Sequence, residues 1–223
     1  MPSFDIVKSI EPEQTFKVAS VMGKFDLQIN KIQETFEGDI PIEEEDWNIG
    51  VIYGASGTGK TTIAREIFKK IVNYKYKAPS VIDDINGSVD EMTKAFNFVG
   101  FSSPPSWLKP YSVLSNGEKM RVDMARAIVE DSNIIVFDEF TSVINRDVAK
   151  IGSSAIQKAI RKQNKKFVAV SCHYDILDWL EPDWEFCTDT MSFLKKKDKD
   201  QKLNLKFGSV QMPTGAYLES III

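Results

Sequence analysis

The sequence predicts an α/β fold: a mostly parallel sheet flanked by helices on both faces. Four short apolar runs carry that prediction, "NIGVIYG", "APSVID", "NIIVFDE" and "KFVAVSCH". Each is bounded by glycine or polar residues, as buried strands are. Between them lie longer segments with an apolar residue every three or four positions, the pattern of a surface helix. Strands alternating with helices imply parallel neighbours joined by crossovers. The 223 residues, 43% hydrophobic and 27% charged, match one ordinary domain over 1–223 with a real core.

Residues 1–47 are weakly patterned; "FKVASV" and "KFDLQIN" are taken as short N-terminal strands, and "EEED" as an acidic turn. "NIGVIYG" is the first buried strand. "TTIAREIFKKIVNY" follows as a helix with Ile63, Ile67 and Ile71 on one face, and "APSVID" as the second strand. "DEMTKAFNFVG" reads as a short helix. "FSSPPSWLKPY" is too rich in proline to be regular. "LSNGEKMRVDMARAI" begins a helix of about three turns with Ser115 or Asn116 as its cap. "NIIVFDE" is the third strand. "RDVAKIGSSAIQKAIRK" is a helix with Val148, Ile151, Ala155 and Ile156 inward, and "KFVAVSCH" is the fourth strand. Residues 190–223 form a lysine-rich tail in which "KLNLKF" alternates like an edge strand.

A net charge of −4 gives no global attraction to nucleic acid or membrane, although a local basic edge is compatible with it. No apolar run has the length of a membrane span, so no membrane insertion is expected. The first residues lack a basic segment followed by an apolar core, so no secretory signal is expected. Cys172 and Cys187 are not spaced as metal ligands and read as reduced thiols of a cytoplasmic protein. His173 is the one histidine, so no histidine-rich metal site can form.

"GASGTGKT", Gly54 to Thr61, fits G-x-x-x-x-G-K-S/T between a strand and a helix, the phosphate-loop context of P-loop NTPases. Its backbone N–H groups and the following helix N-terminus suit an anion. The nucleotide-contacting set is Gly54, Ala55, Ser56, Gly57, Thr58, Gly59, Lys60, Thr61 and Thr62. Lys60 is expected on the β- and γ-phosphates of ATP and the Thr61 hydroxyl on Mg2+. Asp138, closing the apolar run "IIVF", supplies the second metal ligand, and Glu139 is the candidate to orient water.

The ordered set of phosphate loop, "LSNGEK", "IIVFDE", "FTSVINRD" and "VAVSCH" resembles the nucleotide-binding domain of ATP-binding cassette (ABC) proteins over residues 48–180. "LSNGE" is similar to that family's LSGGQ signature, departing at Asn116 and Glu118. "TSVINRD" resembles its D-loop, with Asn145 where an Asp is usual. The resemblance implies a head-to-tail homodimer in the ATP-bound state, each signature closing on the partner's ATP. Ser115, Asn116, Gly117 and Glu118 then belong to the nucleotide site. It also implies a switch role for His173 beside the γ-phosphate, with Glu139 as the second catalytic residue. It calls for an adenine-stacking aromatic before the phosphate loop. Phe25 is the candidate, with Phe16 and Phe36 beside it, and each also reads as core.

The interval from Lys60 to Ser115 is short for the family, implying a reduced helical subdomain over 85–130. No glutamine follows "APSVID" to serve as the family's Q-loop residue. Asp83 or Asp84 stands there, and Asp84 joins Thr61 and Asp138 as a candidate metal ligand. "DEFTSVINRDVAKIGSSAIQKAI" and "VAVSCHYDILDWLEPDW" look like a small soluble group of ABC ATPases associated with an acetyltransferase-like domain. That resemblance implies such a protein partner and a nucleic-acid-related role. Lys195, Lys196, Lys197, Lys199 and Lys202, with Arg161, Lys162, Lys165 and Lys166, would form the basic edge. The alternatives are a nucleotide-gated binding module with little turnover and the ATPase subunit of a membrane transporter.

Overall fold

The computed structural model describes residues 3–10, 13, 15–26, 32–42, 46–130 and 134–196. Within these, strands run at Ser3–Ile10 (β1), Ile32–Asp39 (β2), Ile49–Tyr53 (β3), Ile134–Phe137 (β4), Lys166–Ser171 (β5), Trp184–Cys187 (β6) and Ser192–Lys195 (β7). Helices run at Phe16–Phe25 (α1), Lys60–Phe68 (α2), Val89–Phe98 (α3), Pro104–Trp107 (α4), Asn116–Glu130 (α5), Arg146–Lys162 (α6) and Ile176–Leu180 (α7). No helix among the described residues is long and apolar enough to cross a membrane.

The main sheet has the order β4-β5-β3-β6-β7. Its first four strands are parallel, and β7 turns back antiparallel on β6. Strand alternation splits its side chains between two cores. Ile49, Val51, Phe167 and Ala169 face a core completed by Met92 and Phe96 of α3, Met120 and Met124 of α5 and Ile156 of α6. Ile52, Val136, Val168 and Val170 face the other, completed by Ile63 of α2 and by Phe4 and Phe36 of the antiparallel pair β1–β2. With both faces covered, the strands need no polar alternation, which is why they appear in the sequence as unbroken apolar runs.

Several elements differ from the sequence-based expectation. "FKVASV" is not a strand but the start of α1. The Thr15 hydroxyl accepts from the Val18 N–H, and Asp26 closes the helix in the left-handed region at φ 50°. Those local caps suffice for a short helix with no buried residue. Residues 27–30 of "KFDLQIN" lie outside the described residues, as does "KLNLKF". "APSVID" forms turns and no strand. Asp84 accepts from the Lys77 and Ala78 N–H groups and closes the loop on itself. The Val81 N–H then bonds to the Lys109 carbonyl and not to the sheet.

Helix α2 stops at Phe68 because Lys69 turns left-handed at φ 58°. Ile71 therefore leaves the helix, and the Val72 N–H bonds to the Val136 carbonyl alongside β4. In α6 the inward residues are Ala149, Gly152, Ser153, Ile156, Ala159 and Ile160. Ile151 is 67% exposed, and Val148 and Ala155 are half-buried. The proline-rich stretch is less irregular than expected: it holds α4, and a 3-10 turn at Tyr111–Val113 leads into α5. At their observed positions strands β1, β2, β6 and β7 had no sequence forecast, and β6 lies beside β3, where the phosphate loop begins.

Candidate nucleotide site

The phosphate loop begins where β3 ends. Gly59 caps α2 at φ 84°, and a Cβ there would lie 2.6 Å from the Phe36 ring. Both facts demand glycine. They also assign Phe36: it is a core ring packed under the loop. Phe16 and Phe25 are 86% and 64% exposed on α1, and Lys24 lies over the Phe25 ring. Neither is buried as a core ring. The adenine-stacking role thus has no support from Phe36, and for Phe25 it stays an expectation from the resemblance.

Lys60 is buried to 8% exposure, and its ammonium donates to the Ala55 carbonyl. The Thr58 hydroxyl bonds to the same carbonyl at 2.9 Å. The cation of the loop thus points back to the loop's own backbone. The Thr61 hydroxyl donates to Asp138 Oδ1 at 3.1 Å, and the Glu139 N–H reaches the same oxygen at 3.0 Å. A hydroxyl and a carboxylate oxygen side by side are a hard-cation donor pair. The Ala55 N–H, however, is taken by Asp189 Oδ1 at 2.9 Å, so Ala55 does not offer that group to a phosphate.

Beyond β4 the chain turns sharply. Glu139 and Thr141 both have positive φ, 52° and 66°. The Phe140 N–H bonds to the Val170 carbonyl on β5. Left-handed non-glycine residues store strain that surrounding contacts must hold. Here Ser171 Oγ donates to the Phe140 carbonyl at 2.9 Å and accepts from the His173 N–H at 3.1 Å. One hydroxyl thereby links the Asp138–Glu139 turn to the turn carrying His173.

The "LSNGE" segment opens α5 as a capping box. The Ser115 N–H and hydroxyl both donate to Glu118 Oε2, at 2.9 and 2.8 Å, and the Glu118 N–H returns to Ser115 Oγ at 3.3 Å. The Ser115 N–H and hydroxyl hold the Glu118 carboxyl below the usual range. Asn116 bonds to the Val143 carbonyl, and Gly117 lies so near Val148 that a Cβ would come within 3.0 Å of it. The segment is anchored to the 141–148 region. None of these bonds joins it to the phosphate loop of its own chain.

Two expected residues have other tasks. Asp84 directs both carboxylate oxygens at the Lys77 and Ala78 N–H groups, bonds that lead to its own loop and not to Thr61 or Asp138. Asp83 accepts from the Ser80 hydroxyl. Of the basic edge, Arg161 pairs with Asp183 at 3.0 Å and Lys165 donates to the Ile128 carbonyl. Lys162 and Lys166 sit over the Phe98 and Trp47 rings. These cations are engaged within the fold. Lys197, Lys199 and Lys202 lie outside the described residues.

Residues missed from the sequence are Thr188 and Asp189, which follow β6, and Tyr174, which follows His173. No motif marks them; Thr188 and Asp189 reach the loop because β6 is the parallel neighbour of β3, and Tyr174, beyond β5, meets Asp189 there.

A sequence model of the ATPase family associated with various cellular activities (AAA) matches residues 51–179, more than half of the chain. The lactococcin-G-processing and transport ATP-binding protein LagD of Lactococcus lactis is 23% identical over 76% of this chain and 31% of its own length. The ABC multidrug transporter atrC of Emericella nidulans is 33% identical over 41% of this chain and 7% of its own. The chain thus spans less than a third of either relative. Two solved structures share its fold. The dimeric bacterial ABC transporter cassette MJ0796 has TM-score 0.56 and 14% identity, covering 83% of this chain and 92% of that one. A post-hydrolysis dimer of the same cassette, bound to ADP and Pi, has TM-score 0.58 and 13% identity with the same coverage. The fold is therefore that of an ATP-binding cassette.

Proposed function

The chain belongs to the ATPase family associated with various cellular activities (AAA), and from that premise we propose that it binds ATP with Mg2+ and hydrolyses it as a head-to-tail dimer. One observation carries the reading: Lys60 is turned into the loop beside a Thr61–Asp138 pair. On binding, Lys60 exchanges the Ala55 carbonyl for phosphate oxygens. The remaining loop amides and the α2 N-terminus add donors without reorganising. Thr61 and Asp138 would hold Mg2+, which would supply charge neutralisation at the phosphates when bound. Glu139 orients the attacking water, and His173 steadies the γ-phosphate from the facing turn.

Ser115 and Gly117 serve the partner's nucleotide. The capping box sets a condition on that role. The Ser115 hydroxyl must leave Glu118 before it can donate to a phosphate, and the anionic carboxylate must move aside. The dimeric cassette neighbours support the composite site.

Binding of a fluorescent ATP analogue and phosphate release test the reading together. Lys60→Ala is expected to abolish binding. Glu139→Gln is expected to bind normally and lose on the order of a hundred- to ten-thousand-fold in turnover. Full affinity in Lys60→Ala refutes the phosphate loop, and full turnover in Glu139→Gln moves the base elsewhere.

The relatives' transport functions favour a second reading, the ATP-binding part of a membrane transporter. Native fractionation separates the two. Activity in membrane fractions supports the transporter. Activity in the cytoplasm, copurifying with an acetyltransferase-like protein or with salt-sensitive nucleic-acid binding, supports the resemblance.

A further inference from the structure

The phosphate loop is rich in glycine, so holding its entry in one shape opposes a large backbone entropy. Two residues of the turn after β6 do this. The Thr188 N–H bonds to the Tyr53 carbonyl at 2.8 Å, where β3 ends. Its Oγ1 lies 3.1 Å from that carbonyl and 2.6 Å from Thr58 Oγ1. The hydroxyl sits so close to Gly54 that a Cβ there would come within 2.2 Å of it. Asp189 then accepts from two directions, from the Ala55 N–H at 2.9 Å and from the Tyr174 hydroxyl at 2.5 Å. Tyr174 packs edge-on against Tyr53, ring centroids 5.4 Å apart, and is the next residue after His173.

We propose that Asp189 and Tyr174 are a positioning pair that anchors the entry of the phosphate loop and ties it to the turn carrying His173. The inference rests on the reading of this loop as the ATP site. Ala55 is held at both ends, by Asp189 on its N–H and by Lys60 and Thr58 on its carbonyl. When Lys60 turns to a phosphate, Asp189 keeps this residue in place. An acid beside a phosphate loop would repel the ligand if it were uncompensated. Here two donors and the nearby Lys60 charge hold the carboxylate ionised. Its other oxygen carries the constraint across to Tyr174, so both arms of the site keep one spacing.

Amide hydrogen exchange on the full chain without nucleotide tests the pair. Asp189→Ala is expected to speed exchange at Ala55 about tenfold or more, the loss of a charge-assisted bond. Asp189→Asn, which retains an acceptor oxygen, is expected to stay nearer wild type. Tyr174→Phe removes one hydroxyl and is expected to speed exchange at Ala55 about threefold, although it lies on another segment. The double variant is expected to match Asp189→Ala alone. Unchanged exchange at Ala55 in Asp189→Ala or Tyr174→Phe, or factors that multiply in the double variant, would overturn the proposal. Should Asp189→Ala fail to fold, Tyr174→Phe and Asp189→Asn decide. Turnover adds a second readout: Tyr174→Phe lowers kcat several-fold with ATP affinity nearly unchanged, whereas a merely structural defect lowers both. Wild-type binding of the ATP analogue is measured alongside. Its absence refutes the nucleotide reading, while the exchange data still judge the pair.

Discussion

Asp123 is a half-buried carboxylate held between two phenols. Tyr76 and Tyr111 each donate to it at 2.7 Å, and their rings stack 3.9 Å apart. The trio joins the segment leaving α2, the turn before "LSNGE" and helix α5. Desolvation raises the Asp123 carboxyl above its ordinary value, outweighing the two hydrogen bonds. The same burial and the Asp123 charge push both phenols up. The folded chain therefore holds the Asp123 proton more tightly than the unfolded chain does. Its stabilising contribution is complete below the ordinary aspartate range and is lost as pH rises through the raised value. Asp123→Asn imitates the protonated form and is expected to flatten that decline. Urea midpoints at closely spaced pH check this, and parallel curves for the two proteins refute it. No motif forecast this cluster, because it joins residues 76, 111 and 123 from three separate segments.

Elements were legible wherever both their signal and their surroundings were local. Strands β3, β4 and β5 and helices α3, α5 and α6 fall close to their forecasts, with boundaries moved by caps such as Asn145, which accepts from the Asp147 N–H. The element β6 was not legible: four residues, "WEFC", carry too little pattern to separate a strand from a loop. Its packing makes a demand on β3 that the sequence does not announce. A Cβ on Gly50 would lie 2.0 Å from the Trp184 ring. Trp184 is 3% exposed and also packs against Trp47, Phe68 and Phe193. Gly50→Ala is expected to cost about 3 kcal/mol by overpacking. Chemical denaturation checks it; a loss within a few tenths of a kcal/mol would mean that the ring moves freely.

At the scale of the molecule, one chain presents a phosphate loop and, elsewhere, a signature whose anchoring bonds all lead away from it. In the proposed head-to-tail dimer each half would be completed by the other subunit. Lys60→Ala and Ser115→Arg are each expected to be inactive alone, the first for want of phosphate binding, the second because a bulky cation blocks closure. Mixed, they form heterodimers with one site intact in both halves and one site doubly defective. Part of the activity is expected to return, with cross-linking to establish that heterodimers form. Heterodimers that trap ATP with Lys60 and Ser115 of one subunit at the same phosphate would refute the composite site and leave "LSNGE" as a helix cap.

The phosphate loop, the acid-ended strand and the capped helix start at "LSNGE" were readable because each is a contiguous run whose chemistry demands particular residues at particular spacing. Gly59 must turn left-handed, Lys60 must follow it, and Asp138 must close an apolar strand. Local backbone geometry and hydrogen bonding act over a few residues, so such features survive in the linear order of the chain. Strand order does not. That Thr188 and Asp189 reach a loop more than 130 positions earlier follows from β6 lying parallel to β3, which is decided by the packing of two cores and not by any local pattern. The same holds for single residues. Ile151, expected inward, is exposed, Phe36 takes the core one of its two readings, and Asp84 clasps its own loop once the chain is packed. Burial and hydrogen-bond partners are properties of the assembled fold, and only the tertiary structure could assign them.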